Sequence, residues 1–180
     1  MKYFIPSIFF IFMIHGCSTS ATAPLSTVSS LDLEQYKGTW YEIARYENRF
    51  EKGCVGATAH YSLLGDHVAV TNSCYDAHST ITGQAQGKAS TVESSKNTKL
   101  RVTFFWPFYG DYWVLMLGDD YRYSVVGDPS RKYLWILSRT PSLSDSDRQT
   151  ILSQLPQFGY SSDKLYWTDP KIYSPTKTLP

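Results

Sequence analysis

The chain has 180 residues, of which 42% are apolar and 18% charged, and its formal net charge is +1. This length supports one domain with a sizeable core, and the composition is that of an ordinary globular protein. The sequence contains no basic cluster, so nothing in it favours a nucleic-acid partner. Aromatic residues reach 16%, with fourteen tyrosines and five tryptophans. Such a content suits strands and amphipathic pockets better than helical bundles.

The first 16 residues have the pattern of a secretory signal peptide. Lys2 supplies a positive start, residues 4–14 form an apolar run, and the small residue Gly16 follows. Eleven residues in a helix reach about 16 Å, which is too short for a bilayer core of about 30 Å. We therefore expect residues 1–16 to be a leader and not a membrane-spanning helix.

Cys17 follows this leader directly, at the end of the sequence "IHGC". The segment resembles the lipobox of bacterial lipoproteins, in which the cysteine is lipidated and becomes the first residue. The alternative is an ordinary signal peptide followed by a chance cysteine. Residues 18–30 carry no charge, and we expect 17–30 to be a lipidated cysteine with a flexible tether that spans roughly 20 Å.

The lipobox resemblance also implies a location. Two or three acyl chains on Cys17 would make the attachment effectively permanent, whereas a single chain would be marginal. Ser18 in second place implies sorting to the outer membrane. The expected location is therefore the outer membrane, with the domain lipid-anchored and facing the periplasm.

Short alternating runs separated by turn residues continue from Gly38 to Arg139, a pattern typical of an all-β sandwich or barrel. Consecutive antiparallel strands with short links close most simply into an up-and-down barrel, because closure removes exposed sheet edges. An eight-stranded barrel holds side chains or one small ligand. The eight predicted strands are residues 39–46, 55–64, 67–75, 79–90, 99–105, 111–117, 121–127 and 133–139.

One helix is expected after the barrel, in the segment "SDSDRQTILSQL". Ser144 is its predicted N-cap, with Asp147 three residues later, and Ile151, Leu152 and Leu155 share one face. Residues 165–168 are predicted to form one more strand. We therefore assign a single barrel domain to residues 31–170 and a C-terminal tail to residues 171–180.

Several motifs, in this order, resemble those of the lipocalin family. Gly38 and Trp40 form the G-x-W motif at the start of the first strand, and Arg139 matches the arginine after the eighth. The segments "GTWYEIARYENRFEKG", "PFYG" and "YLWILSRTP" resemble the bacterial outer-membrane lipoprotein branch of the family. The middle family motif, T-D-Y-x-x-Y, keeps only Asp119 and Tyr123. The resemblance implies an eight-stranded antiparallel barrel with one C-terminal helix and a ninth strand.

The two ends of such a barrel carry different residues. Trp40 and Arg139 fall at the same end, where a guanidinium over an indole contributes roughly 0.5–2 kcal/mol. The turn "LDLEQYKG" would close that end. Four loops lie at the opposite, open end, and their aromatic and cationic residues predict a mouth for an amphiphile with an anionic or zwitterionic head. These residues are Arg49, Phe50, Lys52, Trp106, Phe108, Tyr109, Arg131 and Lys132.

The two remaining cysteines are expected to form a disulfide at the open rim. The second and third strands make a hairpin around Gly65 and Asp66, and its register brings Cys54 close to Cys74. A closed loop of about 19 residues suggests ~3 kcal/mol of stabilisation by the chain-entropy estimate.

Strand alternation gives a candidate lining for the cavity. If Trp40 points inward, then Glu42, Ala44 and Tyr46 point inward too. Glu42 would then need a partner, such as Arg139 or a tyrosine hydroxyl. On the sixth strand two sets remain open, namely Tyr112, Val114 and Met116, or Trp113, Leu115 and Leu117.

Motifs of catalysis are not evident in the sequence. The histidines show no metal-ligand spacing, and the chain has neither a G-x-S-x-G elbow nor a phosphate-binding glycine loop. We therefore expect no metal, no cofactor and no catalytic residue. An enzyme acting on a lipophilic substrate through a free cysteine stays open as an alternative, as does a secreted lipocalin that binds other proteins.

Ligand binding is the expected function. The resemblance implies a protein that stores or transports fatty acids or lysophospholipids for outer-membrane maintenance under stress. Relatives can self-associate, so a homodimer stays open, although no surface for it is evident. Burying an acyl chain gains about 0.8 kcal/mol per methylene, so the chain would set most of the affinity and the head group the choice among lipids.

Overall fold

The computed structural model describes residues 23–174 of the chain. Nine antiparallel strands dominate it. The predicted leader, the lipidation at Cys17 and residues 175–180 of the predicted tail lie outside the described residues. The strands are β1 (Gly38–Tyr46), β2 (Gly56–Leu64), β3 (His67–Tyr75), β4 (Ile81–Thr91), β5 (Lys99–Phe105), β6 (Phe108–Leu117), β7 (Tyr123–Gly127), β8 (Leu134–Ser138) and β9 (Leu165–Trp167).

The sheet closes into a barrel. Its strand order is β2-β3-β4-β5-β6-β7-β8-β1-β9, and an additional pairing of β2 with β1 joins the two sides. The ninth strand pairs with the last three residues of β1, on the outside of the eight-stranded ring. The predicted fold class is therefore confirmed. The largest shift at a strand start is at β6, which begins at Phe108 instead of residue 111.

Two α-helices accompany the barrel, α1 (Leu33–Tyr36) and α2 (Asp145–Gln154). The predicted N-cap of α2 is confirmed, because the Asp147 backbone N–H donates to the Ser144 hydroxyl at 3.1 Å. None of the helices in residues 23–174 is long and apolar enough to cross a membrane. Short 3-10 helices cover Arg49–Glu51, Asp119–Tyr121, Leu155–Phe158, Ser162–Lys164 and Pro170–Tyr173.

Residues 23–30 pack against the barrel wall. Leu25 is buried among the residues that α2 covers, and the Val28 backbone N–H donates to the Val114 carbonyl at 3.0 Å. At the start of the segment, the Arg131 guanidinium donates to the Ala23 carbonyl at 2.6 Å. This corrects the expectation that the whole of 17–30 is a free tether, because Leu25 and Val28 supply apolar contacts that an uncharged, serine-rich composition obscures.

Buried side chains form two separate clusters, one inside the barrel and one under α2. The interior cluster is Leu31, Tyr36, Trp40, Tyr61, Val68, Val70, Ala89, Leu100, Val114, Val126 and Leu137. The helix-side cluster is Leu25, Ile43, Ala44, Tyr46, Leu115, Met116, Tyr123, Val125, Leu134, Ile136, Ile151, Leu155 and Tyr160. Strands β1, β6, β7 and β8 contribute to both clusters, because both faces of that part of the wall are covered.

Two β-bulges decide which residues face the interior. On β1 the register with β8 shifts between Glu42 and Ala44. On β6 the register with β7 shifts between Val114 and Met116. A bulge inserts one residue and so reverses the alternation of side chains beyond it. Strict alternation along β1 and β6 therefore fails halfway along each strand.

Candidate ligand-binding site

The barrel interior contains an apolar cavity above its closed end. It is lined by Leu33, Tyr36, Tyr61, Val68, Ala89, Leu100, Val102 and Tyr112. Small-molecule pockets are typically of this kind, mostly apolar with a few placed polar groups. The chemistry of this lining suits an apolar ligand.

The polar groups at the base of this cavity are hydroxyls. The Tyr36 hydroxyl lies 2.7 Å from that of Tyr112 and 2.9 Å from that of Ser124, and the Tyr61 hydroxyl lies 3.0 Å from that of Tyr112. Burial raises the pKa of Tyr36 to about 12 and also raises the pKa values of Tyr61 and Tyr112 above their ordinary value. All three phenols are therefore neutral at physiological pH and their hydroxyls satisfy one another, which leaves the base of the cavity without charge.

Charged groups are buried higher in the barrel, on either side of the β1 bulge. Glu42 and Arg45 are 2% and 4% exposed, and the Arg45 guanidinium donates to Glu42 Oε1 at 2.5 Å. Arg45 also donates to the Cys54 carbonyl at 2.8 Å and lies 3.7 Å from the Glu51 carboxylate. The Trp135 indole N–H donates to the same Glu51 carboxylate at 3.0 Å. One guanidinium thus lies between two carboxyl groups just inside the mouth.

This arrangement favours a proton on Glu42. Burial raises the pKa of the Glu42 carboxyl well above its ordinary value, and the nearby Glu51 carboxyl raises it further. For Arg45, burial alone would lower the pKa, but the two carboxyl groups raise it overall. Glu42 Oε2 makes no hydrogen bond within the described residues. The predicted partners of the Glu42 carboxyl, Arg139 or a tyrosine hydroxyl, were wrong: its partner is Arg45, which the bulge turns to the same side.

Four of the candidate lining residues face outward. Ala44, Tyr46 and Met116 belong to the helix-side cluster, and Trp113 packs beside it with the Lys99 ammonium 3.9 Å from the centre of its ring. Assigning them to the cavity was therefore wrong. The two bulges explain the outward position of Ala44, Tyr46 and Met116. Trp113 precedes the bulge in β6, and its outward position shows that Tyr112 and Val114 face inward there. Tyr112 and Val114 lie on the interior side, as does Leu117 beyond the bulge.

The predicted aromatic mouth residues lie at the open end and are highly exposed, whereas Arg131 is half-buried and donates to the Phe158 carbonyl at 2.8 Å. Phe50 follows β1, and Trp106, Phe108 and Tyr109 lie at the tip of the hairpin formed by β5 and β6. Their exposed fractions range from 46% for Tyr109 to 76% for Trp106. Sequence reasoning missed Phe105, which is also 76% exposed and pairs with Phe108 across the hairpin. The sequence did indicate this place, because Phe105 is the last residue of the predicted strand 99–105 and directly precedes a loop at the open end.

A disulfide fixes one of the loops at this end. Cys54 and Cys74 are bonded, as predicted, with 5.2 Å between their Cα atoms. The bond joins the loop after β1 to the end of β3. Because both sulfurs are committed to it, neither cysteine is a free thiol.

The opposite end is closed around Trp40. This side chain is fully buried, and its indole N–H donates to the Tyr36 carbonyl at 2.8 Å. The Arg139 guanidinium lies 3.8 Å from the centre of the Trp40 ring and donates to the carbonyls of Thr39 and Gln35 at 3.0 and 2.6 Å. A side chain at Gly38 would meet this guanidinium at 3.5 Å, and Gly38 also has a φ of +95°, which favours glycine. The expected stacking of Arg139 on Trp40 is thus present.

Comparison with known proteins agrees with this architecture. The sequence profile of the lipocalin-like domain matches residues 31–170. The chain is 42% identical over 159 residues to "Outer membrane lipoprotein Blc" of Escherichia coli (strain K12), covering 87% of this chain and 89% of that protein. It is 35% identical over 154 residues to "Temperature-induced lipocalin-1" of Arabidopsis thaliana, covering 80% and 82%.

Solved structures show the same fold at lower identity. Insecticyanin of the tobacco hornworm Manduca sexta superposes with a TM-score of 0.64 at 22% identity, covering 81% of this chain and 84% of that one. At this identity the likeness concerns the fold alone. The profile match and the 42% identity establish more, and the chain belongs to the lipocalin family.

Proposed function

We propose that this protein is a lipoprotein, anchored through Cys17 to the outer membrane and facing the periplasm, whose barrel binds a fatty acid or a lysophospholipid. It would store or transport this lipid for outer-membrane maintenance under stress. The observation that carries the proposal is the apolar interior, whose base has no charge.

The interior suits an acyl chain better than a polar ligand. Each buried methylene gains about 0.8 kcal/mol, so fourteen of them give roughly 11 kcal/mol before the cost of ordering. After that cost, affinities from micromolar to nanomolar remain accessible. Among the predicted ligand contacts, Glu42, Tyr112 and Val114 stay in the proposal as interior residues. Phe50, Trp106, Phe108 and Tyr109 stay in it as mouth residues.

The proposed anchor and location are supported by the relatives. The Escherichia coli relative is named an outer membrane lipoprotein, and the alignment with it covers 87% of this chain. The sequence "IHGC" at positions 14–17 supplies a lipidation motif. Replacing Cys17 by Ser in the full chain tests this part directly. We expect the variant to leave the membrane fraction, and retention there in full would contradict the anchor.

Ligand binding is tested by native mass spectrometry of the chain from Ser18 to Pro180, purified without detergent from a Gram-negative host. We expect added mass that matches a fatty acid or a lysophospholipid, lost on extraction with organic solvent and restored by titration with palmitate or lysophosphatidylethanolamine. A bare mass that neither lipid changes would refute the proposal.

Two neighbouring positions on β4 provide a matched pair of variants. Ala89 is buried in the cavity wall and Ser90 is exposed on the outer face. Ala89→Phe fills the cavity and should lower lipid binding at least tenfold, whereas Ser90→Phe should leave it unchanged. Overpacking typically lowers stability by about 1–3 kcal/mol, so cooperative unfolding of each variant must be verified. Val102→Phe provides a second cavity-filling variant. Equal binding by all variants would place the ligand elsewhere.

A further inference from the structure

The exposed apolar side chains of this barrel are concentrated at one end. Among the described residues, eight large hydrophobic side chains are exposed, and all but Leu64 lie at the open end. We define the apolar rim as the four most exposed of them. They are Phe50 at 66%, Phe105 and Trp106 at 76% each, and Phe108 at 71%. Phe105, Trp106 and Phe108 adjoin one another at the tip of the β5–β6 hairpin, and contiguous apolar surface usually marks a site of interaction.

The rim extends beyond the barrel wall. The pairing of β5 with β4 stops at Thr103, and the pairing of β6 with β7 begins only at Trp113. Residues 104–112 therefore form a two-stranded ribbon that neither neighbouring strand supports. Phe105 and Phe108 are paired across this ribbon, next to its turn. Within residues 23–174, no element covers the tip.

The charged side chains around the apolar rim are compatible with a lipid surface that carries no net charge. The Arg49 guanidinium lies 5.0 Å from the centre of the Phe50 ring, and that of Arg101 lies 4.7 Å from the ring of Tyr109. Aromatic rings beside long cationic side chains are typical of the membrane–water interface. The four loops at this end balance in charge, with Glu47, Glu51, Asp76 and Asp128 against Arg49, Lys52, Arg131 and Lys132.

The N-terminal chain leaves the barrel at this same end. Ala23 is bonded to Arg131, which lies in the loop between β7 and β8 at the open end. Cys17 precedes Ala23 by six residues, which span at most about 20 Å. A nine-residue strand such as β1 is about 30 Å long. An anchor at Cys17 would therefore keep the open end, and not the closed end, close to the membrane.

We propose that the apolar rim inserts into the surface of the bilayer that carries the anchor, so that the mouth of the barrel opens onto lipid. The occupant of the rim is thus a lipid surface, and the attraction is hydrophobic, since the loop charges balance. The orientation by Cys17 rests on the proposed function, whereas the insertion of the rim depends only on its own side chains.

The test uses the chain from Ser18 to Pro180, which lacks the anchor but retains every described contact of the fold. Its co-flotation with vesicles is measured with phosphatidylcholine alone and with an equimolar mixture of phosphatidylethanolamine and phosphatidylglycerol. We expect binding to both, with less than a threefold change on adding salt. The fluorescence of Trp106 should shift to shorter wavelength and be quenched by brominated acyl chains. Both changes should be lost in a Trp106→Phe variant, which shows that they come from Trp106.

A double substitution at the rim has a matched control at the other end. Phe105→Ser/Phe108→Ser removes two apolar side chains while keeping Trp106 as reporter, and should lower the vesicle partition coefficient at least tenfold. Leu64 is the last residue of β2, next to the turn at the closed end, and is 54% exposed. Leu64→Ser should leave the partition coefficient unchanged.

Three outcomes would overturn the inference. An equal loss for Leu64→Ser and the double variant would show that the rim is not the contact. Binding only to the anionic vesicles, abolished by salt, would show an electrostatic attachment instead. No vesicle binding, together with a dimer in sedimentation velocity that the double variant converts to a monomer, would show that a second copy of the chain covers the rim.

The result is independent of ligand binding in the interior. If vesicles bind through the rim but native mass spectrometry finds no lipid in the barrel, the inference stands and the proposed carrier function fails. If lipid is found in the barrel but the rim does not bind vesicles, the carrier function stands and the inference fails.

Discussion

The closed and open ends of the barrel use the same residue types in opposite ways. At the closed end, Trp40 is fully buried, its indole N–H donates to a backbone carbonyl, and the Arg139 guanidinium covers its ring. At the open end, Trp106 is 76% exposed and stands on a ribbon that extends past its neighbouring strands. Trp40 is therefore enclosed by the protein, whereas Trp106 is largely exposed to solvent.

The closed end therefore contributes to the stability of the fold, and the open end is exposed for interaction with other molecules. A buried aromatic side chain with a satisfied N–H contributes to folding, so the Trp40 cluster explains why the G-x-W motif and the late arginine occur together. Exposed aromatic side chains on an unsupported ribbon contribute little to folding and are free to bind. Substitutions at the two ends should therefore differ in what they change.

The largest expected effect on stability is at the closed end. Trp40→Ala leaves a cavity beneath Arg139 and removes a buried ring, and should lower the free energy of unfolding by about 3–5 kcal/mol. Phe105→Ala at the open end is the control and should change it by roughly 0.5 kcal/mol or less. Urea denaturation followed by near-ultraviolet circular dichroism measures both. A loss below that of Phe105→Ala would show that the closed end does not contribute as described.

The next effect concerns the covalent link at the open end. Replacing both Cys54 and Cys74 by Ala opens a loop whose ends are 20 residues apart in sequence. The chain-entropy estimate for such a loop is ~3 kcal/mol. Denaturant unfolding of the double variant and of the reduced wild-type protein should show the same loss. Unchanged stability in both would show that noncovalent contacts are sufficient to hold the loop after β1 in place.

Local sequence patterns predicted the strands and the β2–β3 hairpin, whereas the pairing of Trp40 with Arg139 at the closed end was implied by the resemblance to the lipocalin family. The strands β3 and β5 have the bounds expected from alternation and turn residues. The hairpin register of β2 and β3 was enough to bring Cys54 and Cys74 together. These features depend on residues close in sequence or in one hairpin, where turn chemistry and the period of two determine the result.

The candidate site was predicted less well, because bulges carry no local signal of this kind. The bulges in β1 and β6 move Ala44, Tyr46 and Met116 under α2. The bulge in β1 also brings Arg45 to Glu42. A bulge exchanges the faces of all residues beyond it, and the alternation of residue types along a strand does not show where it occurs. Pattern alone therefore gave the strands but not the whole lining.

The last expected effect, which depends on pH, lies where β1 passes from the closed half to the open half. Burial and the Glu51 carboxyl raise the pKa of Glu42 in the folded protein well above its ordinary value of 4.5. The folded state therefore binds this proton more tightly than the unfolded state does. The stabilisation is complete below the unfolded pKa and is lost as the pH rises through the folded pKa.

Glu42→Gln keeps the shape of the protonated side chain and removes its titration. We expect the stability advantage of the wild-type protein over this variant to decrease as the pH rises from about 4.5 towards 8, by about 1.4 kcal/mol for each unit of pKa displacement. Denaturant unfolding of both proteins at several pH values measures the difference. An advantage that grows with pH would mean that Glu42 is ionised when folded and that its pairing with Arg45 outweighs burial. The charged cluster just inside the mouth would then stabilise the fold as an ion pair, and the open half would contribute more to stability than its exposed rim indicates.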